Sequence, residues 1–299
     1  MRQKRKVLIT GGSGYIASQL LNEFRKKYEV SLIDVVKRNR SNMLVDGVVI
    51  ADLLDADRSK YEHLFCGVDT VVHLGYKRPP SVPLIEQFDV ELDNVRIANN
   101  VYRTAYDMGV KRVVVASSNH AADWYEHELI HTRKKEMVSP DELPLSDNFY
   151  GWAKASYELL GYPYACGIFG RKLEIVQIRI GAPRDVAGTK YMGDLSERHG
   201  SGSGISNFKR DLGAHISERD LRQLVTRSIE TDDISNKHGV PWLVVYGISG
   251  NTRRFWSLES ARKILEYEPE DDTEVKYAAD IQRFITGDKS SAFIDRVGE

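Results

Sequence analysis

Apolar and polar positions come in alternating blocks along the chain. "KVLIT" (6–10) is a short apolar run with β-branched residues, and glycines follow at once. "IASQLLNEFRKK" then places Ile16, Leu20, Leu21 and Phe24 at helical spacing. "EVSLID", "GVVIAD" and "DTVVHLG" read as further strands, with "DRSKYEHLFC" as a helix before the last of these. Residues 85–108 contain neither glycine nor proline and predict a long helix stopped by Gly109. "KRVVVASS" is a fifth strand and "LEIVQIRIG" a sixth, with a helix opening at "NFYGWAK" between them. The strands are continuous apolar runs rather than alternations, as expected where both faces are covered. The order predicts an α/β fold: a doubly wound parallel sheet of the Rossmann type.

Beyond about residue 180 the pattern loosens. "GDLSERHGSGSGISN" is polar and rich in Gly and Ser, and reads as a mobile loop. "ERDLRQLVTRSIE" and "LESARKILEYEP" read as helices and "WLVVYGIS" as a strand. The expectation is a cofactor-binding domain over 1–180 and a smaller, interleaved substrate lobe over 181–299. The tail after about 268 gives no clear pattern.

Composition narrows the function classes. The net charge of −1 over 299 residues offers no basic field for nucleic acid. No apolar run reaches the roughly 18 residues of a membrane span. The apolar stretch near the N-terminus runs into the glycine loop, so it reads as a first strand and not a signal peptide. Two cysteines are too few for a disulfide framework. The eight histidines are scattered without zinc-type spacing, so no metal is expected. Together these point to a soluble cytoplasmic protein.

The loop "TGGSGYIA" (10–17) sets Gly11 and Gly14 between strand and helix, where the backbone turns tightly and approaches a pyrophosphate. The helix N-terminus then offers free N–H groups and a positive dipole end. Ala17 stands where a third glycine is commoner. Asp34 ends the second strand, 20 residues after Gly14, and can accept hydrogen bonds from both adenosine ribose hydroxyls. It would repel a 2′-phosphate, which favours NAD over NADP. Lys37 and Arg38 lie close behind and soften that preference. Asp52 serves either as an acceptor for the adenine amino group or as a helix cap.

Tyr150 and Lys154 lie four apart, on one helix face. About one such pair is expected by chance, so its meaning rests on the nearby cofactor loop. With that loop, Asp34 and "YGWAK" in this order, the chain resembles the extended short-chain dehydrogenase/reductases of the epimerase/dehydratase type over nearly its whole length. Within them, "SSNH" (117–120), "IRIG" (178–181) and "NTRRFW" (251–256) resemble uronate dehydrogenases. The chain departs from those enzymes at Ala182, where they carry serine. Its segments 120–150 and 184–209 are also longer than theirs.

The resemblance implies cofactor contacts from Gly11, Gly14, Tyr15, Ile16, Asp34, Asp52, Leu53, Leu74, Gly75, Asn94 and Ser117, together with Tyr150 and Lys154. It implies a catalytic trio of Ser118, Tyr150 and Lys154, with Ser117 as the alternative third member. Asn119, His120, Arg210 and Phe255 would line the substrate. Arg210 either clamps a carboxylate or phosphate or is a solvated loop charge. The same alternatives hold for Arg184, Lys190, Arg198 and Lys209. His73 is expected to be structural. Tyr150 would act as general base on a sugar hydroxyl. An ammonium about 4 Å away, at an effective dielectric near 20, favours the phenolate by about 4 kcal/mol, or roughly three pKa units. The implied reaction is NAD-dependent oxidation of an aldose, uronic acid or sugar phosphate to its lactone. The alternative is a nucleotide-sugar epimerase or dehydratase that retains its NAD. A homodimer through the two long helices is also implied.

Overall fold

Both faces of the strands are apolar because both are covered. The structure, a computed structural model, describes residues 4–191 and 204–286. Its sheet has seven parallel strands in the order β3-β2-β1-β4-β5-β6-β7. These are β1 (Lys6–Thr10), β2 (Glu29–Asp34), β3 (Val48–Ile50), β4 (Thr70–His73), β5 (Arg112–Ser118), β6 (Glu174–Ile180) and β7 (Trp242–Gly247). Val7 and Ile9 of β1 enter one apolar cluster and Leu8 the other, as the two-residue period of a strand dictates. The first cluster is completed by α1 (Tyr15–Lys27), α6 (Glu218–Glu230) and α7 (Glu259–Leu265). The second is completed by α2 (Phe88–Asp107) and α4 (Phe149–Cys166). A single helical turn, α3 (Asp123–Tyr125), lies between β5 and α4.

The winding reverses at β1, which pairs with β2 on one side and β4 on the other. The loops after β1 and β4 therefore diverge and leave a crevice at the carboxyl ends of the strands, where ligands bind in such sheets. The run "WLVVYG", from the C-terminal part of the chain, is the seventh strand of this same sheet. A third apolar cluster gathers Val186, Tyr191, Ile205, Phe208, Leu212, Tyr277, Ile281 and Phe284.

Two local expectations change. "DRSKYEHLFC" forms two 3₁₀ turns, Arg58–Lys60 and Glu62–Phe65, rather than one helix. The Asp57 carboxylate accepts from Ser59 N, while Tyr61 and Phe65 anchor the segment in the core. Residues 205–207, read as loop, open helix α5 (Ile205–Ala214). Ile205, Phe208 and Leu212 share its buried face, and that burial outweighs the polar flank. The rest of the Gly/Ser-rich stretch lies outside the described residues.

Helix α4 delivers the Tyr150/Lys154 motif, and its start is fixed tightly. The Asn148 side chain caps it by accepting from Gly151 N at 2.9 Å. Its end is set by Gly167 in the left-handed region. A Cβ on Gly151 would stand 2.0 Å from the His120 carbonyl oxygen and 2.1 Å from Ser146 Oγ. Only glycine lets the first turn of α4 lie this close to the segment after β5. Gly151→Ala is therefore expected to destabilise the fold by about 2 kcal/mol or more. A urea denaturation midpoint equal to wild type would contradict this.

Candidate active site

The crevice is a cleft of about 1210 Å³. That exceeds the roughly 300–1,000 Å³ of pockets for single small ligands. The glycine loop forms its floor. Gly11 has φ 69°, and a Cβ there would sit 2.7 Å from Gly75 N, against the loop after β4. Gly14 begins α1 without any side-chain cap, and the first turn of that helix carries no acidic residue. Uncapped N–H groups beside a backbone that tolerates no side chain fit a bound pyrophosphate. The residues present thus suit a dinucleotide.

Most of the expected cofactor contacts line this cleft: Gly11, Gly14, Tyr15, Ile16, Asp34, Asp52, Leu53, Leu74, Gly75 and Ser117. Asp34 Oδ2 accepts from Ser13 N (3.0 Å) and Ser13 Oγ (2.7 Å), and Oδ1 accepts from Val35 N at 2.7 Å. Oδ1 also accepts a long bond from Val36 N at 3.4 Å, so of the carboxylate's roughly four lone-pair sites this weakly held one is the easiest for a ribose hydroxyl to take. Asp52 lines the cleft and accepts from Leu54 N at 2.9 Å in a turn, so it caps no helix. Arg38 also lines the cleft, and Arg40 lies over the Tyr15 ring at 5.3 Å.

Asn94 is placed differently from expectation. It is buried off the cleft, accepting from Lys77 N (2.7 Å) and donating to Lys77 O (2.8 Å). It shapes the 75–78 loop from behind. His73 is structural, as expected: Nδ1 pairs with Thr10 Oγ1 at 2.7 Å. Burial, and then the Lys154 charge, push its pKa down to about 3, so the ring is neutral.

Ser118, Tyr150, Lys154 and His120 meet on the opposite wall. The Ser118 hydroxyl is close enough to favour the Tyr150 phenolate, whereas the Ser117 hydroxyl donates to Glu158 at 2.7 Å. This geometry selects Ser118 as the member facing the phenol. Lys154 Nζ donates to Ala116 O at 2.9 Å and lies 5.8 Å from the Tyr150 ring centroid. Burial lowers the Lys154 pKa to about 8 against the opposing pull of Glu91 and Glu158. The expected lowering of the Tyr150 pKa by Lys154 is absent from the protein alone. Burial raises the phenol, the Ser118 hydrogen bond lowers it, and Glu91 and Asp123 raise it again. Helical spacing shows the charge pair but not the cost of burying the phenolate, and here that cost wins.

The wall is supported by residues that no motif announced. Tyr76 packs edge-on against Tyr150 at 5.5 Å and donates to Glu91 at 2.5 Å. His120 packs on the other side of Tyr150 at 5.6 Å. Its Nδ1 is held by Asp123 at 2.9 Å, which leaves Nε2 for a ligand in the cleft. Asp123 is three residues on from His120, a spacing that could have flagged it.

The remaining substrate candidates sit behind the wall. Asn119 is buried, and with its amide turned to satisfy both groups it donates to Ile180 O (3.1 Å) and accepts from Arg210 Nη2 (2.5 Å). Arg210, on α5, forks onto Glu126 through Nε–Oε1 at 2.7 Å and Nη2–Oε2 at 3.1 Å. Its Nη1 donates to Asp211 at 3.0 Å. Arg210 is thus no solvated loop charge. Phe255 is buried against Trp256 and His131, at 5.0 and 5.8 Å, and does not line the cleft. Arg184 does line it and pairs with Asp211. Lys190 pairs with exposed Asp185, Lys209 lies on α5, and Arg198 falls outside the described residues.

Comparison with known proteins agrees with this geometry. The chain is 28% identical over 277 residues to the NAD-dependent glucose-6-phosphate dehydrogenase of Haloferax volcanii, covering 89% of this chain and 94% of that protein. It is 28% identical over 274 residues to the uronate dehydrogenase of Pseudomonas syringae, covering 90% and 83%. The crystal structure of uronate dehydrogenase from Agrobacterium tumefaciens superposes with a TM-score of 0.68 at 23% identity, covering 98% of this chain and 95% of that one. That likeness shows the fold. The model of the NAD-dependent epimerase/dehydratase family matches residues 7–167, more than half of the chain. With its glycine loop, Asp34 and the Ser118/Tyr150/Lys154 wall around one cleft, the chain belongs to the NAD-dependent epimerase/dehydratase family.

Proposed function

We propose that the protein is an NAD-dependent sugar dehydrogenase that oxidises the anomeric hydroxyl of an aldose or aldose derivative to the lactone. The observation that carries this reading is the meeting of Ser118, Tyr150 and Lys154 on one wall of the cleft floored by the glycine loop. NAD, when bound, supplies the acceptor for the hydride leaving the anomeric carbon. The chain's own groups do the rest. Gly11, Gly14 and the start of α1 hold the pyrophosphate, and Asp34 holds the adenosine ribose. Ser118 orients the sugar oxygen, and Tyr150 Oη takes its proton. Lys154 keeps a positive charge beneath the phenol, and His120 Nε2 reaches a sugar hydroxyl. In this reading residues 1–180 carry the cofactor and 181–299 mainly shape the substrate end, and the enzyme works in the cytoplasm.

Initial rates of absorbance change at 340 nm should show NADH forming with at least one sugar from a panel of aldoses, uronates and glucose 6-phosphate. Tyr150→Phe should lose about 10²–10⁴-fold in kcat while binding NADH with wild-type affinity in a fluorescence titration. Full turnover in this variant would sink the assignment of the base. A sample that purifies with bound NAD and stays silent on the whole panel would favour epimerase chemistry.

Lys154 carries a stability cost. Its folded pKa of about 8 lies below the 10.5 of a free lysine. The penalty is therefore full below pH 8 and fades as pH rises from about 8 to 10.5, at an upper bound of about 3 kcal/mol. Lys154→Met should lose turnover yet gain stability relative to wild type at pH 7. That gain should shrink towards pH 10 in thermal unfolding. A difference independent of pH would contradict the assignment.

A homodimer through α2 and α4 is also proposed. Phe88 and Trp152 pack together at 5.5 Å and remain exposed, with Leu84, Ile85 and Leu159 exposed on the same two elements and their lead-in. Light scattering should give twice the chain mass, and Phe88→Asp should return it to one chain. A wild-type monomer at micromolar concentration would contradict this.

A further inference from the structure

The Arg210 guanidinium, 15% exposed, touches Asn119 next to Ser118, and its hydrogen bonds are almost all made inside the chain. Nε and Nη2 form a bidentate fork with Glu126. Nη2 also serves the Asn119 oxygen, and Nη1 serves Asp211. A guanidinium has five N–H donors, so one is left, and a second carboxylate would need two in parallel.

The surrounding charges balance as well. Glu126 is 1% exposed and is supported by His131 Nε2 at 3.2 Å. Burial alone would raise its carboxyl, but the Arg210 guanidinium and His131 override that and hold it ionised. Asp211 is likewise buried and takes Arg210 on one oxygen and Arg184 and Tyr191 on the other. Two guanidinium groups thus face two carboxylates, and His131 adds its hydrogen bond to Glu126.

We infer that Glu126 is a built-in occupant of the fork of Arg210, and that it sets substrate specificity: with Arg210 tied through Asp211 to Arg184 on the cleft lining, this end of the site selects uncharged sugars over uronates. This rests on the dehydrogenase reading above and names its substrate class. Arg210 then acts as a positioning residue. It holds Asn119 against Ile180 O, next to Ser118, and binds no substrate carboxylate. A uronate would have to displace a buried, doubly bonded carboxylate to reach it, and its own carboxylate would face Glu126 as a like charge.

The test compares sugars that differ only in that group: galactose with galacturonate, and glucose with glucuronate. Wild type should favour the neutral member in kcat/KM by about tenfold or more. Glu126→Gln should shift the ratio towards the uronate by at least about tenfold, and Glu126→Asp, which keeps the charge, should not. Calorimetric titration of both sugars into the NADH complex gives a readout independent of turnover. Glu126→Gln should gain uronate affinity that wild type lacks. If no sugar is turned over but the titration shows this gain, the dehydrogenase reading fails and the charge inference stands. Wild type preferring the uronate, in rate or in binding, would overturn the inference even if Glu126→Gln failed to fold. So would a folded Glu126→Gln protein with no gain for the uronate.

Discussion

The close approach of two backbone segments at the switch point governs the rest of the molecule. β1 must pair with β2 on one side and β4 on the other, so the loops leaving β1 and β4 begin as neighbours and then diverge. Where they touch, the Cα of Gly11 faces Leu74 and Gly75 with no room for a side chain. This contact sets the width of the cleft floor and aims the uncapped N-terminus of α1 into it. A second close approach, that of Gly151 to the His120 carbonyl, sets the far wall and carries Tyr150 to Ser118. The cleft is the space between these two glycine contacts.

Within it, burial and charge oppose each other. Burial raises the Tyr150 phenol away from neutrality and lowers the Lys154 ammonium to about 8. On the proposed reading, the positive charge of an oxidised nicotinamide would favour the phenolate and complete the wall. Behind the wall the chain closes its own ion pairs. Glu158 holds Arg179, and Glu126 holds Arg210, so the strongest local charges are spent on rigidity before any substrate arrives.

The sheet and the cofactor half were legible in the sequence because their signals are local. A strand buried on both faces reads as an apolar run, and a phosphate loop reads as glycines between strand and helix. Asp34 and the Tyr150/Lys154 pair follow from spacing along single elements. The substrate half was less legible, because its contacts join distant segments. Nothing near Arg210 indicates that Glu126, 84 residues earlier, takes its fork. Nothing near Tyr150 indicates Tyr76 or Glu91. Asn94 was recognised as a site residue, but its hydrogen bonds go to the Lys77 backbone and not to the cleft. The Tyr150 pKa went astray for a related reason, since a pairwise charge can be read from spacing but burial cannot. In "DRSKYEHLFC" a helical period was present, and core anchoring by Tyr61 and Phe65 won over it.

The central claim is that a hydride leaves the anomeric carbon of a sugar held beside Tyr150. It is tested most directly by following isotope. The protein is incubated with NAD and aldoses deuterated at carbon 1, and the reduced cofactor is analysed by mass spectrometry. The account predicts one deuterium in each NADH formed. NADH without label, or label that stays on the sugar while its configuration changes, would contradict it.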